Sequence, residues 1–499
     1  MTFPPLPALL ILISLLLLLV VYVRFRLRYG QVLAIAAKLP CPPTWPVLGN
    51  LPSLLLYGVN VSSSKNILRI AEHFKGIFCV WIGPVPIFVI KDPADVQVIL
   101  NSSATLERND RYVSFKTFMG NGLLSAPVSI WKKYRKLINP IMRPSNVEHF
   151  LHVFNDVGRK LSDKFSVSSP PTDHSDEIFD MALDTIIRTA ISQDDFPSET
   201  KRDVKYLIHS VPDILMARIF KIWLQIDWLF KLLYRKELKL IFEKLENLLD
   251  TVNKGVKAEG EIRTRVPESD ESSKRMSGLT LMDVICNNLP VITEDHNWRD
   301  EVMTLLATGT DTIVGSLSFL LVTLGNFPEV QDKIIEEVQG VMGDMDRDVT
   351  VADVNAMTYL NQVILESIRL HGSVSAISRK ATKEIKLSDC TLPAGSRIVL
   401  VLLTMGYDKE QFPDPEQFLP ERFSPEKQKE RHNYSFLPFG GGPRNCIGKT
   451  YAIIMMKTVL VHVLRRLRVK SHTKLSDIQY ELRVVIHQRF PLLVTFHPR

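Results

Sequence analysis

Between Phe436 and Gly448 the chain reads Phe-Leu-Pro-Phe-Gly-Gly-Gly-Pro-Arg-Asn-Cys-Ile-Gly, and no regular element can pass through it. Three consecutive glycines favour irregular backbone, and Pro443 removes a donor and fixes its own φ, which excludes helix and strand alike. The stretch Ile447 to Met456 is apolar and predicts a helix whose start receives Cys446. A thiol placed there gains from the helix dipole and from unpaired N–H groups, and Arg444 adds positive charge two residues away, so a thiolate is expected. Most single cysteines are small buried apolar residues instead; the neighbours set this one apart. The five cysteines, Cys41, Cys79, Cys286, Cys390 and Cys446, are scattered and form no Cys-x-x-Cys pair, which argues against a disulfide framework or a zinc site. Gly448-Lys449-Thr450 imitates the end of a phosphate-binding loop, but Pro443 stands where that motif needs its first glycine. Gly120-Asn121-Gly122 is an equally poor dinucleotide signature, with Ser125 in place of the third glycine and no βαβ pattern around it.

The other strong constraint lies at the opposite end. No charge occurs from Met1 to Val23, and Ala8 to Val23 is almost wholly Leu, Ile and Val before Arg24, Arg26 and Arg28 arrive. That run approaches the roughly 20 residues that cross a bilayer core. A cleaved secretory peptide would carry its positive charge before the apolar run. Here it follows, so the arginines and the rest of the chain are expected on the cytoplasmic side, at the endoplasmic reticulum membrane. Asn60-Val61-Ser62 then faces the wrong compartment for glycosylation. Residues 1–29 are read as the anchor. Residues 30–50, with four prolines between Leu39 and Pro46, form the hinge. Residues 51–499 are read as one catalytic domain.

Within that domain, Ile77 to Trp81 and Pro86 to Ile90 read as a hairpin around Gly83, and Asp92-Pro93 opens a helix. Thr391 to Leu403 is a second strand region, and Ser269 to Ser277 is a polar loop. Most of the remainder has helical periodicity, so the expected fold is mainly α with a small β part, preceded by one transmembrane helix. The net charge of +7 suits an acidic protein partner or an anionic membrane surface. Without a basic block interleaved with aromatics, nucleic acid is not an expected partner.

Phe439, Gly442, Arg444, Cys446 and Gly448 fit Phe-x-x-Gly-x-Arg-x-Cys-x-Gly, the signature of the cytochrome P450 superfamily, which the chain therefore resembles. Three further constellations follow in the family's order. Trp131 and Arg135, four apart on a predicted helix, look like its Trp-x-x-x-Arg pair at a haem propionate, and Arg379 and Arg444 match other propionate-binding arginines. A helix predicted over Arg299 to Leu324 is interrupted by Thr308-Gly309-Thr310-Asp311-Thr312. Gly309, Asp311 and Thr312 resemble the family's oxygen-activating motif, in which the threonine and the carboxylate organise proton delivery. Glu366 and Arg369 share one helix face over Tyr359 to Leu370 and, with Arg422 of Pro420-Glu421-Arg422-Phe423, look like its structural triad.

The resemblance implies a cytochrome P450 fold and a haem-thiolate monooxygenase. Cys446 would be the iron ligand of haem b. Many family-4 members carry, immediately before the glycine that here is Gly309, a glutamate that can form an ester with a haem methyl group, but this chain has Thr308 there, so the haem is expected to be held without a covalent side-chain bond. Electrons would come from NADPH through NADPH-cytochrome P450 reductase, with cytochrome b5 as a further candidate donor. The substrate would be an apolar small molecule, such as a fatty acid, a steroid-like compound or a xenobiotic. The region Phe118 to Phe154 looks most like the family-4 clade. A haem-thiolate isomerase or dehydratase and a haem-binding sensor are the alternatives; Asp311 and Thr312 argue against the first. Two departures stand out: Gly372-Ser373 replaces a Pro-Pro, and Gly406-Tyr407 replaces a His-Arg. The segment Ile214 to Leu233, rich in aromatic and aliphatic residues, fits either a bilayer contact or a core-facing helix.

Overall fold

The computed structural model describes residues 6–52, 73–74, 76–109, 113–166, 170–265, 280–287, 298–344 and 346–499. The Asn60 site and the Ser269 to Ser277 loop lie outside the described residues. Helix α1 (Leu6–Ala36) runs through Arg24, Arg26 and Arg28, past residue 29 where the anchor was expected to end. No proline stands between Ala8 and Lys38 to stop it. Its last turns bury Val32 and Ala36 against the sheet. The proline-rich segment is tied to that sheet as well: the Cys79 N–H donates to the Pro40 carbonyl at 2.8 Å, and Asn50 Nδ2 donates to Pro42 and Pro43 at 2.8 and 2.9 Å.

The hairpin forms as the alternation predicts. β1 (Phe78–Ile82) and β2 (Val85–Ile90) are antiparallel, with Phe78 opposite Val89 and Gly83 in the turn. α2 (Pro93–Asn101) follows, with the Asp92 side chain accepting from the N–H groups of Ala94 and Asp95, a satisfied N-cap beside a proline in the first turn. Then come α3 (Val113–Met119), α4 (Val128–Ile138), α5 (Leu151–Ser166), α6 (Ser175–Ile186), α7 (Ser198–Phe220) and α8 (Arg235–Arg265).

The central element is α9 (Trp298–Asn326), followed by α10 (Pro328–Met342) and α11 (Thr358–His371). α9 is long and apolar enough to cross a membrane, but 72% of its apolar window is buried in protein. A helix apolar on all sides belongs in a core, and α9 packs on α6 and α11. β3 (Ile377–Lys380) and β4 (Arg397–Leu400) complete a four-stranded sheet in the order β1-β2-β4-β3, in which β2 and β4 run parallel. Only part of Thr391 to Leu403 is therefore strand, and Leu402–Met405 is a helical turn. α12 (Lys449–Leu464) packs along α5. β5 (Leu467–Ser471), a hairpin of β6 (Tyr480–Leu482) and β7 (Ile486–Gln488), and β8 (Val494–Pro498), paired with β5, finish the chain. The fold is mostly helical with a small β part.

Candidate active site

The glycine-rich loop turns as its composition requires. Gly440 and Gly442 adopt φ of 67° and 66°, a region that residues with a Cβ rarely enter. A Cβ on Gly442 would also overlap the Leu100 carbonyl of α2. The Cys446 N–H closes the loop on the Phe439 carbonyl at 2.7 Å. Arg135 of α4 clamps it from outside, donating to the Asn445 carbonyl at 2.8 Å and to Asn445 Oδ1 at 2.7 Å. The helix begins at Lys449 with Gly448 as its cap, so Cys446 lies before the helix rather than at its first turn. The free thiol is not depressed either. Burial pushes it up, and the Gly448 N–H, Arg135 and Lys449 oppose that without overcoming it.

Cys446 opens on a cavity of about 380 Å³ enclosed between this loop and α9. Phe439, Arg444 and Gly448 line it beside the cysteine, and Trp131 and Arg135 line it from α4. Arg444 stacks over the Trp131 ring at 4.7 Å and donates to the Ala126 carbonyl at 2.6 Å. Arg379 alone among the predicted cofactor contacts is off the wall: it is buried in β3, two residues beyond the cavity-lining Ile377, and donates to Ser378 at 3.1 Å. Elsewhere the walls are largely apolar, as Phe115, Phe118, Leu207 and Val485 illustrate.

Gly309, Asp311 and Thr312 face the cavity from α9. Hydroxyls along this helix donate four residues back: Thr308 to Thr304 at 2.6 Å, Thr312 to Thr308 at 2.8 Å and Ser316 to Thr312 at 2.8 Å. Ser373, one of the unexpected residues after α11, meets Ser316 at 2.8 Å and donates to the Thr312 carbonyl at 3.2 Å. A proline pair could supply no such bond. Three further groups escaped sequence reasoning. Arg108 lines the cavity. Glu301, on the first turn of α9, accepts the Leu123 N–H at 3.1 Å and is pushed up to about 8 by burial. His487 of β7 lies 3.1 Å from Asp311. No spacing rule links that pair, because 176 residues separate its members.

Glu366, Arg369 and Arg422 come together behind the loop. Glu366 and Arg369 are fully buried, with bonds of 2.7 and 2.8 Å between them. Arg422 Nε stands 3.4 Å from Glu366. Arg369 also donates to the Gly406 and Pro415 carbonyls, each at 2.7 Å, and Tyr407 donates to Leu370 at 3.0 Å. Gly406-Tyr407 thus fastens α11 and is not part of the cavity wall.

One sulfur cannot hold a bare metal ion, which takes about four or more ligands. No group of three His, Cys, Asp or Glu residues suited to a metal exists among the described residues. The donor set fits a metal that brings its own in-plane ligands in a flat apolar ring, with arginines at the rim for anionic groups.

Residues 39–494 match the family model described as Cytochrome P450. The chain is 30% identical to cytochrome P450 4c21 of Blattella germanica over 90% of this chain and 91% of that protein. It is 29% identical to cytochrome P450 4V2 of Mus musculus, covering 94% and 90%. To cytochrome P450 4g15 of Drosophila melanogaster it is 26% identical, covering 96% and 95%.

Proposed function

The chain belongs to the cytochrome P450 family and is a haem monooxygenase, and from that premise we propose that Cys446 ligates the iron and that the cavity admits an apolar substrate. The observation that carries this reading is a single cysteine thiol facing α9 across a largely apolar cavity. Haem bound there supplies dioxygen activation, favoured by electron donation from the thiolate. The chain's own groups do the rest. Arg135, Arg444 and Trp131 hold the anionic rim, and the buried Arg379 backs it from β3. Gly309 keeps α9 close to the substrate side, and its packing against Ile186 leaves no room for a larger residue without a shift. Asp311 and Thr312 hold and move the protons the reaction consumes. The apolar walls exclude water and orient a fatty acid, a steroid-like molecule or a xenobiotic. The Glu366–Arg369–Arg422 triad fixes α11 behind the loop.

Electrons are proposed to come from NADPH through a separate flavoprotein reductase, NADPH-cytochrome P450 reductase, with cytochrome b5 as a second donor. Exposed Lys132, Lys133 and Lys136 on α4, with Lys449, supply a basic face beside the cysteine loop, suited to an acidic partner. Residues 1–29 are proposed as the membrane anchor, 30–50 as the connection and 51–499 as the cytosolic catalytic domain. Trp223, Ile226, Trp228, Leu232 and Leu233 are exposed, whereas Leu224 and Phe230 are buried. The segment therefore divides between both expected roles, and its outer face supports contact with the endoplasmic reticulum membrane. Protease added to intact microsomes should digest the catalytic domain, and protection would reverse this topology.

The central test is spectroscopic. Reduced protein under carbon monoxide should show the red-shifted Soret band of thiolate ligation, and Cys446→Ser should lose it. An unchanged band in that variant would remove Cys446 from the iron.

A further inference from the structure

The site contains a proton donor problem that its neighbours solve. The Thr312 hydroxyl spends its hydrogen on the Thr308 carbonyl, so it offers none to the cavity in this arrangement. Asp311 is buried and faces the cavity, and an ionised carboxylate has no proton to give until one is delivered. His487 Nε2 lies 3.1 Å from Asp311 Oδ1 and 3.4 Å from Oδ2. Its side chain is only 14% exposed. Behind it on α7 stands the exposed His209, the two rings 6.3 Å apart between centroids. Around them, Arg483 meets Asp213 of α7 and Glu481 of β6, each at 3.2 Å, and Lys205 stands one turn before His209. Exposure falls inward, from 55% at Asp213 to 14% at His487 and 7% at Asp311.

We propose that His487 supplies protons to Asp311, and that His209 with the Arg483, Asp213 and Glu481 cluster forms the solvent end of this route. A lysine or arginine would hold the carboxylate equally well but would not release a proton near neutrality; an imidazole does both. In the step, the Nε2–H bond of the imidazolium breaks and an O–H bond forms on Asp311. The carboxylic acid then passes that proton into the cavity. The neutral imidazole recovers one from solvent, so each cycle moves one proton inward and no electrons. His487 touches neither substrate nor cofactor and acts only through Asp311. The proposal rests on the monooxygenase reading for its purpose, but the His487–Asp311 coupling can be measured without turnover.

The first experiment uses the full haem-loaded chain in its diamagnetic ferrous carbon monoxide form, labelled with ¹⁵N-histidine. The His487 Nε2 signal, identified by its loss in His487→Gln, should move in Asp311→Asn at one fixed pH, because Asp311 lies 3.1 Å from that nitrogen. An unmoved signal would overturn the proposal. The second measures product and hydrogen peroxide per NADPH across pH. His487→Gln, with an unchanged Soret band as proof of folding, should form product about tenfold more slowly or worse. It should divert electrons to peroxide and lose the wild-type decline toward alkaline pH. His209→Gln, at an exposed position, should show a weaker loss of the same kind and serves if His487→Gln fails to fold. Wild-type coupling and an unaltered pH profile in these variants would overturn the relay. A wild type that binds haem but oxidises no substrate would count against the functional reading, and the imidazole nitrogen signal would still decide the pair.

Discussion

Thr308 stands immediately before Gly309 on α9, with its hydroxyl bonded to the Thr304 carbonyl at 2.6 Å, and it lines the cavity. In the clade that the chain most resembles, a glutamate at this position can form an ester with a haem methyl group. A threonine has no carboxylate with which to do so. The proposed cofactor is therefore retained by the iron–sulfur bond, apolar packing and the arginine contacts alone. Acidified organic solvent should extract it completely, and haem that stayed with the polypeptide under denaturing chromatography would contradict this. The same scale shows where sequence stopped. Cys446, Arg444, Trp131 and Arg135 were legible because they sit in short local patterns, and the cavity gathers them. His487 and Ser373 were not, because each matters through a partner far away in the chain, and a single histidine on a short strand gives no periodic signal.

At the scale of elements, the cysteine loop and α2 are built against each other. Gly440 and Gly442 share nearly the same φ, but they differ in space: a Cβ on Gly440 would come no closer than 3.8 Å to Asn445, whereas one on Gly442 would strike the Leu100 backbone. Gly440→Ala should cost roughly 1–2 kcal/mol, the penalty for left-handed backbone. Gly442→Ala should cost more, because a carbonyl cannot move aside as a flexible side chain can, and it should sharply lower haem retention. Comparing haem content and thermal midpoints of the two variants checks this; equal losses would show that the α2 contact is unimportant. Periodicity was enough to find α9, α11 and the first hairpin, whose observed bounds differ little from those expected. It did not mark β3 or the strands after α12, because three- to five-residue strands carry too few alternations to stand out from loop. The start of α12 was misplaced because Ile447 is apolar while the backbone at Gly448 is not yet helical.

For the molecule as a whole, the interior contains ionisable groups whose effects on stability run in opposite directions with pH. His371 and His462 are each held down to about 3 from an ordinary 6.5, chiefly by burial. Their neutral forms suit the fold, so their contribution is intact above 6.5 and is lost as pH falls toward 3, while the unfolded chain takes up protons that the folded chain refuses. Glu301 behaves oppositely. Burial raises it to about 8 from 4.5, so the fold favours its protonated form; that contribution is complete below 4.5 and declines as pH rises through 8. Between pH 6.5 and 8 the two histidines are neutral in the fold and lose only the last half of their charge in the unfolded chain, so the decline in this window comes chiefly from Glu301. Glu301→Gln, which keeps an oxygen for the Leu123 N–H, should therefore flatten the stability profile in that window, whereas the wild type should weaken by a few kcal/mol at most as pH rises. Urea unfolding midpoints of both proteins at pH 6.5 and 8 decide the matter. Parallel declines would show that the Glu301 carboxyl ionises in the fold as easily as in the unfolded chain.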